Sequence, residues 1–226
     1  MFDNIKGIAF DLDGTLYPSN SINKRLLPFV LKEGRLLSAF GKTRKIIRKE
    51  QESGKLPQVD FYQYQAEITA KILSVDPVQM KEKIERLIYR GWEPLYKSVR
   101  LFKGVHETLE VCRTKGFKLG LLSDFPPEIK LKNLGLDSYW DIVHCSERSN
   151  ALKPHPLPFL KLADAMSLPP QNILYVGNSH SYDVVGAAGT GMKTALIRPL
   201  ISFGKKSPKP DFSFHNYRQL CNFMLQ

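Results

Sequence analysis

The sequence predicts an α/β protein built on an open parallel sheet with helices on both faces, with a helical bundle inserted after the first strand. Three observations carry this. Short apolar runs recur with little of the in-and-out alternation of a half-solvated strand, as expected for strands buried on both faces. Helical segments separate the later runs, so strand and helix alternate. The interval between the first two runs, about residues 17 to 97, shows helical periodicity and no good strand.

The first strand is KGIAFDL (6–12), continuous, apolar and ended by Asp-Gly. In the insert that follows, Leu26, Phe29, Val30, Leu37 and Phe40 form one stripe. Ile68, Ile72 and Leu73 form a second, and Ile84, Leu87 and Ile88 a third. SGKLPQ (53–58) is a loop, and Asp76 before Pro77 is a helix cap. GVHETLEVCRTKG (104–116) is a helix with Val105, Leu109 and Cys112 on one face, stopped by Gly116. FKLGLLS (117–123) repeats the strand design, and DIVHCSE (141–147) does so less strongly. PLPFLKLADAMSL (156–168) has proline near its start, as helices often do. NILYVGN (172–178) and KTALIR (193–198) are the last strands, flanking SYDVVGAAGTG (181–191), a small-residue helix packed close to the sheet. The expected organisation is a core of residues 1–16 and 98–226 around an insert of 17–97.

The 226 residues suit one large domain or a core with a smaller insert, and a hydrophobic fraction of 42% is enough for a real core. No apolar run approaches the ~20 residues of a membrane helix. The start, MFDNIKGIAF, has neither the basic opening nor the long apolar stretch of a signal peptide. Cys112, Cys145 and Cys221 are odd in number, widely spaced and without a CxxC pair, which argues against a disulfide framework or a zinc site. A cytoplasmic setting with reduced thiols is expected. The net charge of +11 favours anionic partners. The insert supplies about +7 of it, with 16 Lys and Arg against 9 Asp and Glu. The basic stretches KTRKIIRK (42–49) and GKKSPKP (204–210) read as solvated surface, and no nucleic-acid module is recognisable.

In open α/β sheets ligands sit beyond the carboxyl ends of the strands. Here strand one ends in Asp11 and Asp13 and the second in Ser123 and Asp124. Lys153 follows the third, and Asn178, Ser179 and Asp183 follow the fourth. If the strands are neighbours, these groups converge. A carboxylate can attack phosphorus and form an aspartyl-phosphate. Mg²⁺, with oxygen ligands, removes much of the repulsion between the two anions. A lysine neutralises remaining charge, and a hydroxyl with backbone N–H groups holds the phosphoryl oxygens. A second carboxylate protonates the leaving oxygen and later deprotonates water. Asp11 fits the nucleophile and Asp13 the acid/base.

FDLDGTLYP, LLSDF, LKPHP and VGNSHSYDVVGAAGTGM resemble, in order, the four motifs of the haloacid dehalogenase-like hydrolase superfamily. The insert position matches its subgroup with a helical cap after strand one. The resemblance implies a Rossmann-like core and Mg²⁺ as cofactor. It makes Asp11 the nucleophile and Asp13 the general acid/base, with the Asp13 backbone carbonyl on the metal. It places Gly14 and Thr15 in the turn after them, and Ser123, Asp124, Lys153 and Thr15 around the phosphate. It draws the metal ligands from Asp11, Asp13, Asn178 and Asp183. The chain departs from the pattern at Asn178, where the family usually has a metal-binding aspartate, so weaker Mg²⁺ affinity is expected. Asp124 stands where asparagine is more typical, and His155 where aspartate is common. His155 and His180 read as loop histidines or, more sharply, as substrate-side contacts. Tyr17 and Pro18 shape the passage into the cap, Trp92 and Trp140 are packing residues, and Cys145 is a buried small hydrophobe.

Dehalogenases resemble this chain but lack an acid two residues after the nucleophile, since halide leaves without a proton. Asp13 therefore favours phosphate ester hydrolysis. The expectation is a Mg²⁺-dependent phosphatase acting on a small phosphorylated metabolite, most like phosphoglycolate phosphatases and pyrimidine nucleotidases. A phosphosugar mutase shares the same core residues, and a phosphonatase would use a cap lysine. A fourth reading, from another class, is a catalytically weakened scaffold binding anions or nucleic acid through its positive surface.

Overall fold

The structure is a computed structural model that describes residues 4–198 and 207–225, without the side chains of Asn23 and Lys24. Its centre is a six-stranded sheet: β1 (Gly7–Phe10), β2 (Lys118–Ser123), β3 (Ile142–Cys145), β4 (Ile173–Gly177), β5 (Lys193–Ile197) and β6 (Phe212–Phe214). The spatial order is β3-β2-β1-β4-β5-β6, and every pairing is parallel. β1 lies between β2 and β4, with Phe10 opposite both Leu121 and Val176. That register brings the carboxyl ends of the three central strands to one level, which is why their polar terminal residues meet.

The lack of alternation in β1 has its cause in the layers. Ile8 and Phe10 point into a core with α4 (Val105–Thr114), α5 (Glu128–Leu134) and α8 (Tyr217–Leu225). Ala9 points the other way, toward α6 (Pro156–Ala165) and α7 (Val185–Gly189). Both faces of the strand are dry, so both residue sets are apolar. β6, α5 and α8 lie beyond the elements expected from the sequence. β6 is three residues long, too short to show a period; Asp211 anchors it by accepting from the Thr194 N–H at 2.9 Å and hydroxyl at 3.0 Å on the adjacent strand.

Between β1 and β2 the chain forms α1 (Asn23–Glu52), α2 (Phe61–Leu73) and α3 (Pro77–Ile84), then a wide π-type turn, Glu85–Arg90, and a 3₁₀ turn, Glu93–Ser98. Asp76 caps α3 as expected, accepting from the Gln79 N–H at 2.9 Å, and Asp60 caps α2 in the same way. These helices pack around Leu36, Phe40, Ala66, Ala70, Met80, Ile84 and Ile88. The expected stripes are only partly right. α1 leaves helical geometry at Glu33 (φ −120°, ψ 24°), which shifts the phase of its apolar face; Val30 is exposed while Leu36 and Phe40 are buried. In α2, Ala66 and Ala70 face inward and Ile72 is exposed.

The three cysteines are free, with Cys112 and Cys145 buried. Trp140 packs edge-on against Phe10, and Trp92 against Phe29, in keeping with packing roles. No helix among the described residues is long and apolar enough to cross a membrane. Of the basic stretch 204–210, residues 204–206 lie outside the described residues.

Candidate active site

The turn after β1 begins the site. Asp11 extends the ladder, donating its N–H to Val176 O at 2.9 Å, and the chain then folds back so that Leu16 N–H reaches Leu12 O at 3.1 Å. Gly14 sits in this turn at φ +91°, and a Cβ there would overlap the Asn178 side-chain amide. Glycine is thus required twice over, by conformation and by close approach. From the far end of the sequence, Tyr217 donates its hydroxyl to Thr15 O at 2.7 Å and steadies the turn from below.

Asp11 is buried, and its two oxygens have different partners. Oδ1 accepts from Lys153 Nζ at 2.6 Å and Oδ2 from the Thr15 hydroxyl at 2.7 Å. The same ammonium donates to Asp183 Oδ1 at 2.7 Å and to the Tyr175 hydroxyl at 3.2 Å. Asp183 Oδ2 accepts the backbone N–H groups of Asn178 and Ser179, at 3.1 and 2.9 Å. Both Asp183 oxygens are therefore engaged, one with the lysine and one with the loop that carries Asn178. Asn178 Oδ1 lies 3.3 Å from the Thr15 hydroxyl, so Asp11 Oδ2 and Asn178 Oδ1 converge on one point. Burial raises the Asp11 carboxyl; Lys153 opposes this, Asp183 adds to it, and the group is pushed up to about 7. Lys153, although burial works against its charge, is raised well above the ordinary lysine range by Asp11 and Asp183.

Asp13, two residues on, is about a third exposed, with a side-chain accessibility of 35%. Lys130 donates to its Oδ1 and Oδ2 at 2.9 and 2.8 Å, and Tyr17 donates its hydroxyl to Oδ1. The Ser123 hydroxyl lies 3.5 Å from Oδ2. Desolvation would raise this carboxyl, but Lys130 and the Tyr17 hydroxyl outweigh it and hold it below the usual range.

Asp124 faces away from Asp11. Its Oδ2 meets Arg48 at 2.7 Å and Arg44 at 3.5 Å, and its Oδ1 accepts the Lys153 N–H at 3.2 Å. Arg48 also donates to Lys153 O at 2.9 Å, so the main chain of the lysine is held from both sides. Arg44 is buried against the Phe125 ring, 4.2 Å from its centroid, and is paired with Glu147, which has no exposed surface. Two arginines of the basic stretch 42–49 are thus interior struts joining α1 to the loops after β2 and β3. The solvated-surface reading fails for them because these loops present buried carboxylates that need a cation.

Sequence reasoning found Asp11, Asp13, Thr15, Ser123, Lys153, Asn178 and Asp183, which the fold brings together. It missed Lys130, Glu147, Tyr175 and the two arginines, and gave Tyr17 only a shaping role. No local signal marks Lys130, whose partner is 117 residues away. Tyr17 lies four residues after Asp13, a spacing that a turn brings into contact. Both histidines have main-chain partners: His155 Nδ1 accepts the Leu157 N–H at 3.2 Å, and His180 bonds to Pro208 O, 28 residues on, at 2.8 Å.

The donors that converge beside Asp11 suit a hard cation in type: Asp11 Oδ2 and Asn178 Oδ1 are both oxygens. Only one of the two is charged. Among the described residues no group of three or more His, Cys, Asp or Glu is arranged to hold a metal ion, and Lys153 bridges Asp11 and Asp183.

Residues 5–191 match the family model of haloacid dehalogenase-like hydrolases. The phosphoglycolate phosphatase of Haemophilus influenzae is 27% identical over 99% of this chain and 100% of its own. The pyrophosphatase PpaX of Halalkalibacterium halodurans is 26% identical over 85% of this chain and 83% of its own. A crystal structure of a HAD phosphatase from Thermococcus onnurineus superposes with a TM-score of 0.67 at 26% identity, covering 97% of this chain and 98% of that one. A dehalogenase of known structure shares the fold at a TM-score of 0.71 and 19% identity, covering all of both chains. The chain belongs to the haloacid dehalogenase-like hydrolases.

Proposed function

From that membership we propose that the protein is a Mg²⁺-dependent phosphatase that hydrolyses a small phosphomonoester through an aspartyl-phosphate on Asp11. The observation that supports this most directly is the setting of Asp11: an ammonium at 2.6 Å, a hydroxyl at 2.7 Å, and a second carboxylate two residues on, held beside Ser123.

In the first half-reaction an Asp11 carboxylate oxygen attacks phosphorus. The P–O bond to the alcohol breaks, and Asp13, which takes up a proton as the anionic ester binds beside it and offsets the pull of Lys130, gives that proton to the departing oxygen. Lys153 holds Asp11 in place and offsets negative charge as it develops on the phosphoryl oxygens, and the Ser123 hydroxyl and turn N–H groups supply hydrogen bonds. In the second half, Asp13, now a carboxylate, takes a proton from water as the water oxygen attacks phosphorus. The acyl-phosphate P–O bond breaks, inorganic phosphate leaves, and Asp11 returns as a carboxylate. Asp11, Asn178 and the Asp13 carbonyl would hold Mg²⁺, which would supply positive charge that reduces the repulsion between carboxylate and phosphate. With Asn178 neutral, the affinity for that ion is lower than an aspartate would give. Asp183 keeps Lys153 and the Asn178 loop in register. Helices α1 to α3 act as the cap that shapes the substrate pocket.

The phosphatase relatives favour a small phosphorylated metabolite over a macromolecule. Two of the cap cations, Arg44 and Arg48, are committed to internal carboxylates, which weakens the case for a cap built to hold nucleic acid. The test is hydrolysis of p-nitrophenyl phosphate and a panel of phosphorylated metabolites by wild type and Asp11→Asn, with Mg²⁺ titrated from zero to tens of millimolar. Mg²⁺-dependent turnover that disappears in the variant is expected. Equal turnover by both proteins, or none by wild type on any ester, overturns the reading.

A further inference from the structure

We propose that Lys130, together with Tyr17, is a positioning residue that fixes the Asp13 carboxylate for proton exchange at the scissile ester. This rests on the phosphatase reading, and on Asp13 as its acid/base.

The geometry carries it. A third-exposed aspartate on a turn would ordinarily sample several rotamers in water. Asp13 does not have that freedom. Lys130 grips both of its oxygens, at 2.9 and 2.8 Å, and Tyr17 adds a hydroxyl to Oδ1. The oxygen left without Tyr17 is Oδ2, which lies on the Ser123 side, 3.5 Å from that hydroxyl. The clamp therefore turns one defined oxygen toward the place where the phosphoryl group binds.

Lys130 is an unusual residue to find here. Lysines are rarely buried, and an ammonium taken out of water needs a close counter-charge. Its side chain is 10% exposed, held 4.9 Å from the Tyr96 ring centroid and 5.2 Å from that of Phe125. The helix that carries it is anchored independently: Leu131 and Leu134 fill the core, and Asn133 donates to Glu93 O at 2.8 Å. The helix has these anchors besides the ammonium, whose carboxylate partner is Asp13. The cage is made jointly by Tyr96, from the last turn before the core resumes, and Phe125, from the loop after β2. Tyr17 packs edge-on to Tyr96, with ring centroids 6.1 Å apart. The two groups that hold Asp13 thus both pack on Tyr96.

The experiment separates positioning from general support by varying the leaving group. A dinitrophenolate leaves without a proton, whereas an alkoxide needs one. Values of kcat/KM report the steps through departure of the alcohol, before water is activated. They are measured for wild type, Asp11→Asn, Lys130→Met, Lys130→Arg and Tyr17→Phe. The substrates are 2,4-dinitrophenyl phosphate and alkyl phosphomonoesters, phosphoglycolate among them. In Lys130→Met, which keeps the ring contacts, kcat/KM is expected to fall about tenfold or more on the best alkyl ester and less than about threefold on the dinitrophenyl ester. Lys130→Arg restores part of the alkyl activity. If Lys130→Met does not fold, Tyr17→Phe shows the same contrast with a smaller amplitude. Equal losses on the two esters, or no loss, overturn the positioning role while Asp11→Asn still reports on the phosphatase. A wild type that cleaves only the dinitrophenyl ester also overturns it, since an acid set in place serves alkoxides. A wild type that cleaves neither overturns both readings.

Discussion

Replacing Arg44 by methionine tests the buried pair that joins α1 to the core. Methionine keeps apolar contact with Phe40 and Phe125 but removes the charge. Lost with it are the hydrogen bond to Gln65 Oε1 at 3.1 Å, worth about 1.5–3 kcal/mol for a charged donor, a desolvated cation–π contact of about 2 kcal/mol, the hydrogen bond to Glu147 and the pair with Asp124 at 3.5 Å. Allowing for the new packing, the cost at pH 6 is at least about 3 kcal/mol. The pH dependence comes from Glu147. Burial outweighs Arg44 and Tyr89 and pushes its carboxyl up from 4.5 to about 7. Its folded value lies above its unfolded one, so from pH 4.5 to 7 the folded chain holds the extra proton, and stability falls with rising pH in wild type and variant alike. Above pH 7 the wild-type group ionises beside Arg44 and its loss stops. Without Arg44 the carboxyl ionises only at higher pH, and until it does the variant goes on losing about 1.4 kcal/mol per pH unit. Two units higher, at pH 9, the gap has widened by up to about 2.7 kcal/mol. Urea unfolding at pH 6 and pH 9 measures it. In a Glu147→Gln background the position has no titrating group, and the widening vanishes. An equal cost at both pH values, or a widening that persists in the Glu147→Gln background, refutes the argument.

Two further outcomes follow from the site. Gly177→Ala places a Cβ 2.5 Å from Asp183 Cγ and Oδ2, both fixed by Lys153 and the Asn178 loop. A stability loss of about 1–3 kcal/mol is expected in urea unfolding, with turnover falling further than folding does because Asp183 is pushed off Lys153; wild-type turnover would contradict this. Burial would raise the Asp124 carboxyl, but Arg44, Lys153 and Arg48 hold it below its ordinary 3.8. The stability it contributes is then present above pH 3.8 and lost as pH falls through the folded value. Asp124→Asn should cost about 3 kcal/mol at pH 7, and the difference from wild type should shrink in acid; a difference independent of pH counts against the ion-pair account.

The candidate site was legible in part because its residues stand at strand ends. A short dry strand followed by Asp-Gly is a local pattern, and parallel neighbours in register carry such ends to one place. Asp11, Ser123 and Asp183 could be found in this way. Asp124 was found too, but the structure turns its carboxylate to Arg44 and Arg48, partners that its own surroundings in the sequence do not name. The phase of α1 was misread for a related reason. A helical stripe assumes one continuous axis, and the break at Glu33 depends on how two halves of the helix pack.

By itself the sequence determined the parallel α/β core, the place of the helical insert and the order of the chemical groups, because periodicity, turn chemistry and chain order are written residue by residue. Only the tertiary structure decided which charges meet. Lys130 and Asp13 are 117 residues apart, and Arg44 and Glu147 are 103 apart. Neither lysine nor arginine differs locally from its solvated neighbours. What sets them apart is burial beside a carboxylate, and burial is a property of the packed chain.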